Sequence, residues 1–248
     1  MKLAILSDLH ANRQATEAVW EHAMHQGCER TVLLGDYVDY GADPVWVLDF
    51  VQQRVQEGAI ALKGNHDDAI RHEGSHNMGE HVQASLVWTR QQLSAAHVAF
   101  IESLPLVAEL EDCQFAHANL HAPSQWAYLD GRMEAVRSMQ VSAHPFVFCG
   151  HMHQPCLYHL SAAGKSGEFS PVDGTPITLS PMRRWLAIPG SVGQPRDGNP
   201  AACYAVFDTG SKQLTFHRVP YDHERAAQRI LDAEIGRASC RERVSSPV

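Results

Sequence analysis

No stretch of this 248-residue chain is apolar for long enough to span a bilayer as a helix, which argues against an integral membrane protein. Positive charge is scarce as well. Twenty Lys and Arg stand against 28 Asp and Glu, a net charge of −8. Non-specific nucleic-acid binding needs a basic surface, and this balance disfavours it. Six cysteines form no C-x-x-C pair and no regular spacing, which leaves neither a zinc ribbon nor a disulfide framework. Reduced thiols used as small core residues, in a cytoplasmic protein, fit them best. The N-terminus turns polar at Ser7-Asp8, too early for a signal peptide. No repeat and no linker rich enough to divide the chain is present, so residues 1–235 are read as a single domain.

What remains is a 44% hydrophobic chain with material for a sizeable core and one residue in excess, histidine, at sixteen. Position and company decide which histidines matter. Lys2 to Ser7 reads as a buried strand, followed by a helix capped by Asn12 and stopped by Gly27. Thr31 to Leu34 is a second strand, Asp43-Pro44 starts a second helix, and Ala59 to Leu62 is a third strand. This β-α-β-α-β order implies parallel strands joined by helical crossovers, with ligands beyond the carboxyl ends of the strands.

Residues Ala69 to Ser103 read as mainly helical, with His72, His76 and His81 in a Gly-broken first part that suits a lid. Further strands are expected at Leu106–Leu110, Cys113–Ala116, Pro145–Cys149, Cys156–Leu160, Ile177–Leu179, Trp185–Ile188, Cys203–Phe207 and Leu214–Val219. Helices are expected at Asp130–Met139 and Asp222–Ile235, and Gly164 to Gly174 reads as a polar, Gly-containing connection forming a mobile hairpin.

Five of the strands end in a polar cluster: Asp8-Leu9-His10, Gly35-Asp36-Tyr37-Val38-Asp39-Tyr40, Gly64-Asn65-His66-Asp67, His117, and Gly150-His151-Met152-His153. Asp8 and His10, at i and i+2 of an extended segment, would point the same way. Singly, each cluster has an ordinary reading as a turn, a cap or a satisfied histidine. Five in succession, each behind an apolar strand, can meet along one sheet edge. Their mixed oxygen and nitrogen donors, with no cysteine, argue against structural zinc. Seven donors suit two ions sharing a carboxylate, and favour Mn, Fe or Zn over Mg or Ca.

Asp-x-His, Gly-Asp-x-x-Asp, Gly-Asn-His-Asp, a lone His and Gly-His-x-His, in that order, resemble the calcineurin-like metallophosphoesterase superfamily. Pro189-Gly190-Ser191-Val192-Gly193-Gln194-Pro195-Arg196 is similar to its small prokaryotic phosphodiesterase branch. The resemblance implies an α/β fold, a four-layer α/β/β/α sandwich of two mixed sheets flanked by helices. It also implies two divalent transition-metal ions, manganese first, with Fe, Zn, Co or Ni as alternatives. Asp8, His10, Asp36 and His153 would hold one ion, and Asp36, Asn65, His117 and His151 the other. Two such ions would generate a bridging hydroxide for in-line attack. His66 would protonate the leaving oxygen or stabilise transition-state charge, with Asp39 orienting it.

One departure bears on substrate. Protein phosphatases of the superfamily carry Arg where this chain has Tyr40, and Glu where it has Asp67. A phenol cannot replace a bidentate guanidinium. Diesters or anhydrides are therefore favoured, and the expected substrate is a small phosphoester or nucleotide. A dinucleoside polyphosphate hydrolase and a non-catalytic protein-binding scaffold are the alternatives, and a homo-oligomer stays open. His121, Trp126 and Tyr128 could stack on a base or pack in the core, and Arg183, Arg184 and Arg196 are candidate phosphate contacts. One back-translation of Ile235 to Val244 reads as a sequencing-library adapter, so residues 236–248, Cys240 included, are set aside as non-native.

Overall fold

A computed structural model describes residues 1–71 and 79–235. His72 and His76, the side chain of His81, and the tail at 236–248 lie outside the described residues.

The first half builds one sheet and its cover. β1 (Lys2–Leu6), β2 (Arg30–Leu33) and β3 (Ile60–Ala61) pair in parallel through the crossovers α1 (Arg13–His25) and α2 (Pro44–Gln56). Asn12 caps α1, its side chain accepting the N–H of Ala15. Asp43 precedes α2 as expected but makes no side-chain cap. Its carboxylate instead pairs with Arg229 of the last helix. A short α3 (Asn65–Ala69) precedes the region read as mainly helical, whose described residues hold two helices, α4 (Glu80–Gln92) and α5 (Ala95–Ser103). Ser94 and His97 form a reciprocal cap that starts α5.

The second half adds β4 (Val107–Leu110), β5 (Cys113–Ala116), α6 (Arg132–Val141), β6 (Phe146–Cys149), β7 (Cys156–Ser161), β8 (Ser166–Phe169), β9 (Ile177–Thr178), β10 (Arg183–Ile188), β11 (Ala202–Asp208), β12 (Gln213–Val219) and α7 (His223–Asp232). A hairpin is present where one was expected, though offset toward β7: β8 pairs antiparallel with β7 from Leu157↔Phe169 to Leu160↔Ser166, a strand not expected from the sequence. Its alternation of polar residues and Gly167 hid it, because an edge strand needs no apolar face.

Two mixed six-stranded sheets result, ordered β3-β2-β1-β11-β12-β9 and β4-β5-β6-β10-β7-β8. Leu3, Ile5, Val32 and Leu34 of the first meet Phe115, Phe146, Phe148 and Trp185 of the second. Alternate residues of the same strands face outward: Ala4, Leu6 and Leu33 pack under α1 and α2, and Val147, Cys149 and Leu186 pack under α6. Period-two alternation with apolar residues on both faces is what a sheet covered on both sides requires. Burying each of these phenylalanines contributes about 1.5–3 kcal/mol relative to exposure. The four layers hold the carboxyl ends of β1, β2, β3, β5 and β6 at one edge, where all five polar clusters lie.

Candidate metal centre

Three of the five clusters leave their strands through left-handed backbone. Asp8, His10, Asp36, Asp39, Tyr40, His151 and His153 all have φ between 46° and 71°. Asp8 and His10 are thus not on an extended segment, as their spacing suggested. They converge because the backbone is left-handed at both. Such conformations cost roughly 1–3 kcal/mol each for a non-glycine residue, and the surroundings must over-determine them. Backbone bonds do so here: Asp8 N–H donates to Gly35 O, His10 N–H to Asp36 O, and Gly41 N–H to His10 O.

The histidines are aimed by their Nδ1 atoms. His10 Nδ1 lies 3.1 Å from Val38 O, His153 Nδ1 2.6 Å from Gln194 O, and His117 Nδ1 3.0 Å from Leu34 O. A carbonyl accepts only, so each Nδ1 carries a proton and each Nε2 is left to face the site, with a lone pair whenever the ring is neutral. Those Nε2 atoms converge. Nε2 of His10 and His153 are 3.2 Å apart, and Asp8 Oδ1 is 3.3 Å from His153 Nε2. His117 Nε2 is 3.0 Å from Asn65 Oδ1 and 3.2 Å from Asp36 Oδ2. Asp36 Oδ2 also lies 3.9 Å from His10 Nε2, which places it between the two groups.

Electron pairs facing one another at such distances repel unless a proton or cation lies between them. Asp8 Oδ1, Asp36 Oδ2 and His151 Nε2 are buried without a hydrogen-bond partner. An ion would satisfy all three. Asp8–His10–His153 and Asp36–His117–His151 each bring their donor atoms within 4.8 Å of one another and could hold a metal ion. His10–Asp36–His66 does the same between them. The oxygen and nitrogen donors, free of sulfur, fit a divalent transition metal.

The same crowding shifts the protonation of the ion-free protein. Burial lifts Asp8 to about 6. Burial depresses His10 and His153, and it depresses His151 to about 3 with help from charged His117. Burial opposes the charge of His117 too, yet the Asp36, Asp8 and Asp67 carboxylates outweigh it and raise that imidazole to about 9. Burial also pushes Asp36 up, and the facing His117 and His66 rings reverse it, holding the carboxyl well below its usual range.

His66 stands beside this set. Its Nδ1 is 2.6 Å from Asp39 Oδ2, and its Nε2 is 4.0 Å from Asp36 Oδ2. Burial disfavours the imidazolium, but Asp36 and Asp39 prevail and raise its pKa. Gly64 plays a different part from a turn glycine, for its φ is −100°. A Cβ there would lie 2.1 Å from Asp36 Oδ1, so Gly64 permits close approach of two loops.

The remaining candidates separate. His121 turns away to Ser138 and Glu134 of α6, and Trp126 is buried with its ring 6.0 Å from that of His117. Tyr128 is 55% exposed and stacks on His151 at 4.3 Å. Arg184 donates to the carbonyls of Met139, Ser142 and His144 near the end of α6, and Arg183 begins the same strand. Because β10 runs parallel to β6, its first residues lie at the end opposite His151, and neither arginine can meet a phosphate there. Arg196 sits at the correct end. A shallow cleft opens beside His10 and Tyr40, lined also by Asn12, Gly41, Asp43 and Ile230.

Some supporting residues carried no local signal. Ser85 of α4 accepts the N–H of Tyr40, Arg90 donates to the carbonyls of Ala69 and Ile70 at the end of α3, and Ser191 Oγ donates to Asp8 O. These contacts join residues 20 to 183 positions apart.

Comparison with known proteins agrees with the geometry. Residues 1–212 match the model of the calcineurin-like phosphoesterase superfamily domain. The chain is 30% identical over 236 residues to the uncharacterized protein MJ0912 of Methanocaldococcus jannaschii, covering 92% of this chain and 91% of that one. A solved metallophosphoesterase from Sphaerobacter thermophilus superposes with a TM-score of 0.85 at 30% identity, covering 99% of each chain. Hypothetical protein PH1004 of Pyrococcus horikoshii OT3 gives a TM-score of 0.76 at 17% identity, covering 97% and 96%, and speaks for the fold alone. With its two-sheet sandwich and its buried histidine and aspartate clusters at one edge, the chain belongs to the calcineurin-like phosphoesterase superfamily and is a phosphoester hydrolase.

Proposed function

We propose that the protein is a metal-dependent phosphodiesterase acting on a small phosphoester or nucleotide. The observation that carries this is the position of Asp36 Oδ2, unpartnered between two groups of converging donors, with the His66–Asp39 pair alongside. Asp8, His10, Asp36 and His153 would hold one divalent ion, and Asp36, Asn65, His117 and His151 the second. Manganese is proposed first; Fe, Zn, Co and Ni also accept this donor set. Bound there, the ions supply an activated water and neutralise charge on the phosphate oxygens.

The chain's own residues do the rest. Asp39 fixes His66 through Nδ1 and favours its charged form, which leaves a proton on Nε2 facing the site. His66 gives that proton to the leaving oxygen as the ester P–O bond breaks and the water oxygen bonds to phosphorus. Tyr40 stands where an arginine would grip a dianionic monoester, and this favours substrates with one negative charge fewer. The buried walls around Asp8, Asp36 and His117 keep bulk water from screening these charges.

The test is a panel of aryl monoesters, aryl diesters and dinucleoside polyphosphates with Mn, Fe, Co, Ni, Zn and Mg. Diesters should be turned over fastest, with manganese among the best activators. Clear preference for monoesters would overturn the substrate assignment. Absence of both bound metal and metal-stimulated activity would favour a scaffold.

A further inference from the structure

The loop after β10 carries Gly190 to Arg196 across the mouth of the metal centre. It is tied down along its length. Val192 and Gly193 donate their N–H groups to Ser7 O and Asp8 O, and Asn12 Nδ2 donates to Gly193 O at 2.9 Å. At Gly193 a Cβ would lie 1.9 Å from Leu9 O, so the loop crosses in contact with the first cluster. Arg196 is pinned by its own backbone: its N–H donates to His153 O, and its carbonyl accepts from Gln154 Nε2 at 3.0 Å.

The Arg196 side chain then runs back over the site. Its guanidinium carbon is 5.9 Å from the centroid of the Tyr40 ring, within hydrogen-bonding reach of the Tyr40 hydroxyl, and Nη2 donates to Gln194 Oε1 at 3.0 Å. Asp197, the adjacent carboxylate, is taken by Arg218. Among the described residues no carboxylate lies within ion-pair distance of Arg196. The Tyr40 ring it contacts lies 4.7 Å from the His10 ring and 4.9 Å from the His66 ring, centroid to centroid. A guanidinium has five donors. With Gln194 and Tyr40 using two, three remain.

We propose that Arg196 is the phosphate-binding arginine of this enzyme and that Tyr40 is its support. The guanidinium enters from the loop after β10, donates to a non-bridging phosphoryl oxygen, and supplies from the opposite wall the charge that position 40 lacks. Tyr40 braces it by ring contact and through its hydroxyl. A partly engaged fork offers one end to the ligand, which suits the single charge of a diester better than the two of a monoester. This rests on the phosphodiesterase reading for its substrate, but not for its binding of phosphate.

The experiment compares metal-loaded wild type, Arg196→Lys, Arg196→Ala and Tyr40→Phe. Four quantities are read: metal content, KM and kcat for an aryl diester, and inhibition by inorganic phosphate. Arg196→Ala should keep its metal and raise both KM and the phosphate inhibition constant by about 10–100-fold. Arg196→Lys should recover only part, and added guanidinium should partly rescue Arg196→Ala. Tyr40→Phe should show a smaller change in the same direction. Unchanged phosphate inhibition in Arg196→Ala would overturn the proposal. So would loss of metal in step with loss of binding, since Arg196 would then merely brace His153. A wild type that ignores diesters yet binds phosphate through Arg196 would overturn the phosphodiesterase reading and uphold this one.

Discussion

The Asp67 carboxylate accepts the backbone N–H of Asp36 at 2.8 Å, and so holds the second polar cluster against the third. The same oxygen accepts from Gly64 N at 2.9 Å, and the other from Tyr37 N at 2.9 Å. Asp36 returns the contact by accepting the N–H of His66 at 2.8 Å. Asp67 touches none of the converging donors, yet it sets the position of the carboxylate they share.

Asp67→Asn should therefore act at a distance. An amide presents donors where the backbone already donates, and at least one buried N–H loses its partner. The expected loss of stability is about 1–3 kcal/mol, seen as a lower denaturant midpoint of the ion-free protein. Metal content should fall with it. Wild-type metal content would show that the brace is not needed.

Gly64→Ala tests close approach rather than turn geometry. Its Cβ would meet Asp36 Oδ1 and the Asp36 backbone nitrogen at 2.1 and 2.4 Å. Backbone must move, and elemental analysis should find the protein short of metal even where circular dichroism shows the fold retained.

Metal uptake should depend on pH in a particular sense. Ion-free His117, at about 9, is protonated at neutrality, and an ion can bind only its neutral form. Apparent affinity should rise about tenfold per pH unit up to pH about 9 and then flatten. Below about 6, protonation of Asp8 adds a second proton and steepens the slope. Calorimetry in buffers of different ionisation enthalpy should count about one proton released per protein at neutral pH. A count of zero would contradict this account of His117.

His66→Ala should retain its metal and lose about 10²–10⁴ in kcat. Asp39→Asn should be milder and more diagnostic. Asp39 supports the charged imidazole, so its loss lowers the His66 pKa, and the alkaline limb of the rate profile should move to lower pH. An unmoved limb would mean that another group supplies the proton.

Arg90→Met removes the donors that α4 offers to the end of α3. Because α3 carries Asn65 and His66, kcat should fall with little change in KM, and the melting temperature should drop by a few degrees. Equal KM and kcat effects would point instead to a binding role.

The sequence determined the strands and which of them end in chemistry. Apolar runs such as Phe146-Val147-Phe148-Cys149 are local, and burial on both faces leaves little choice for them. Asp8, Asp36, Asn65, His117 and His151 follow such runs directly, so their meeting at one edge was legible once the parallel order was. Their means of meeting was not, because the left-handed backbone at Asp8 and His10 is enforced by partners 26 or more residues away. Tertiary structure alone decided that Asp67 is a brace, that Gly64 is a point of contact, and that Arg184 caps a helix while Arg196 reaches the site. The reason is common to all four. Each depends on two segments remote in sequence being brought within about 3 Å, and hydrogen bonds and hard-sphere contact act only at that range.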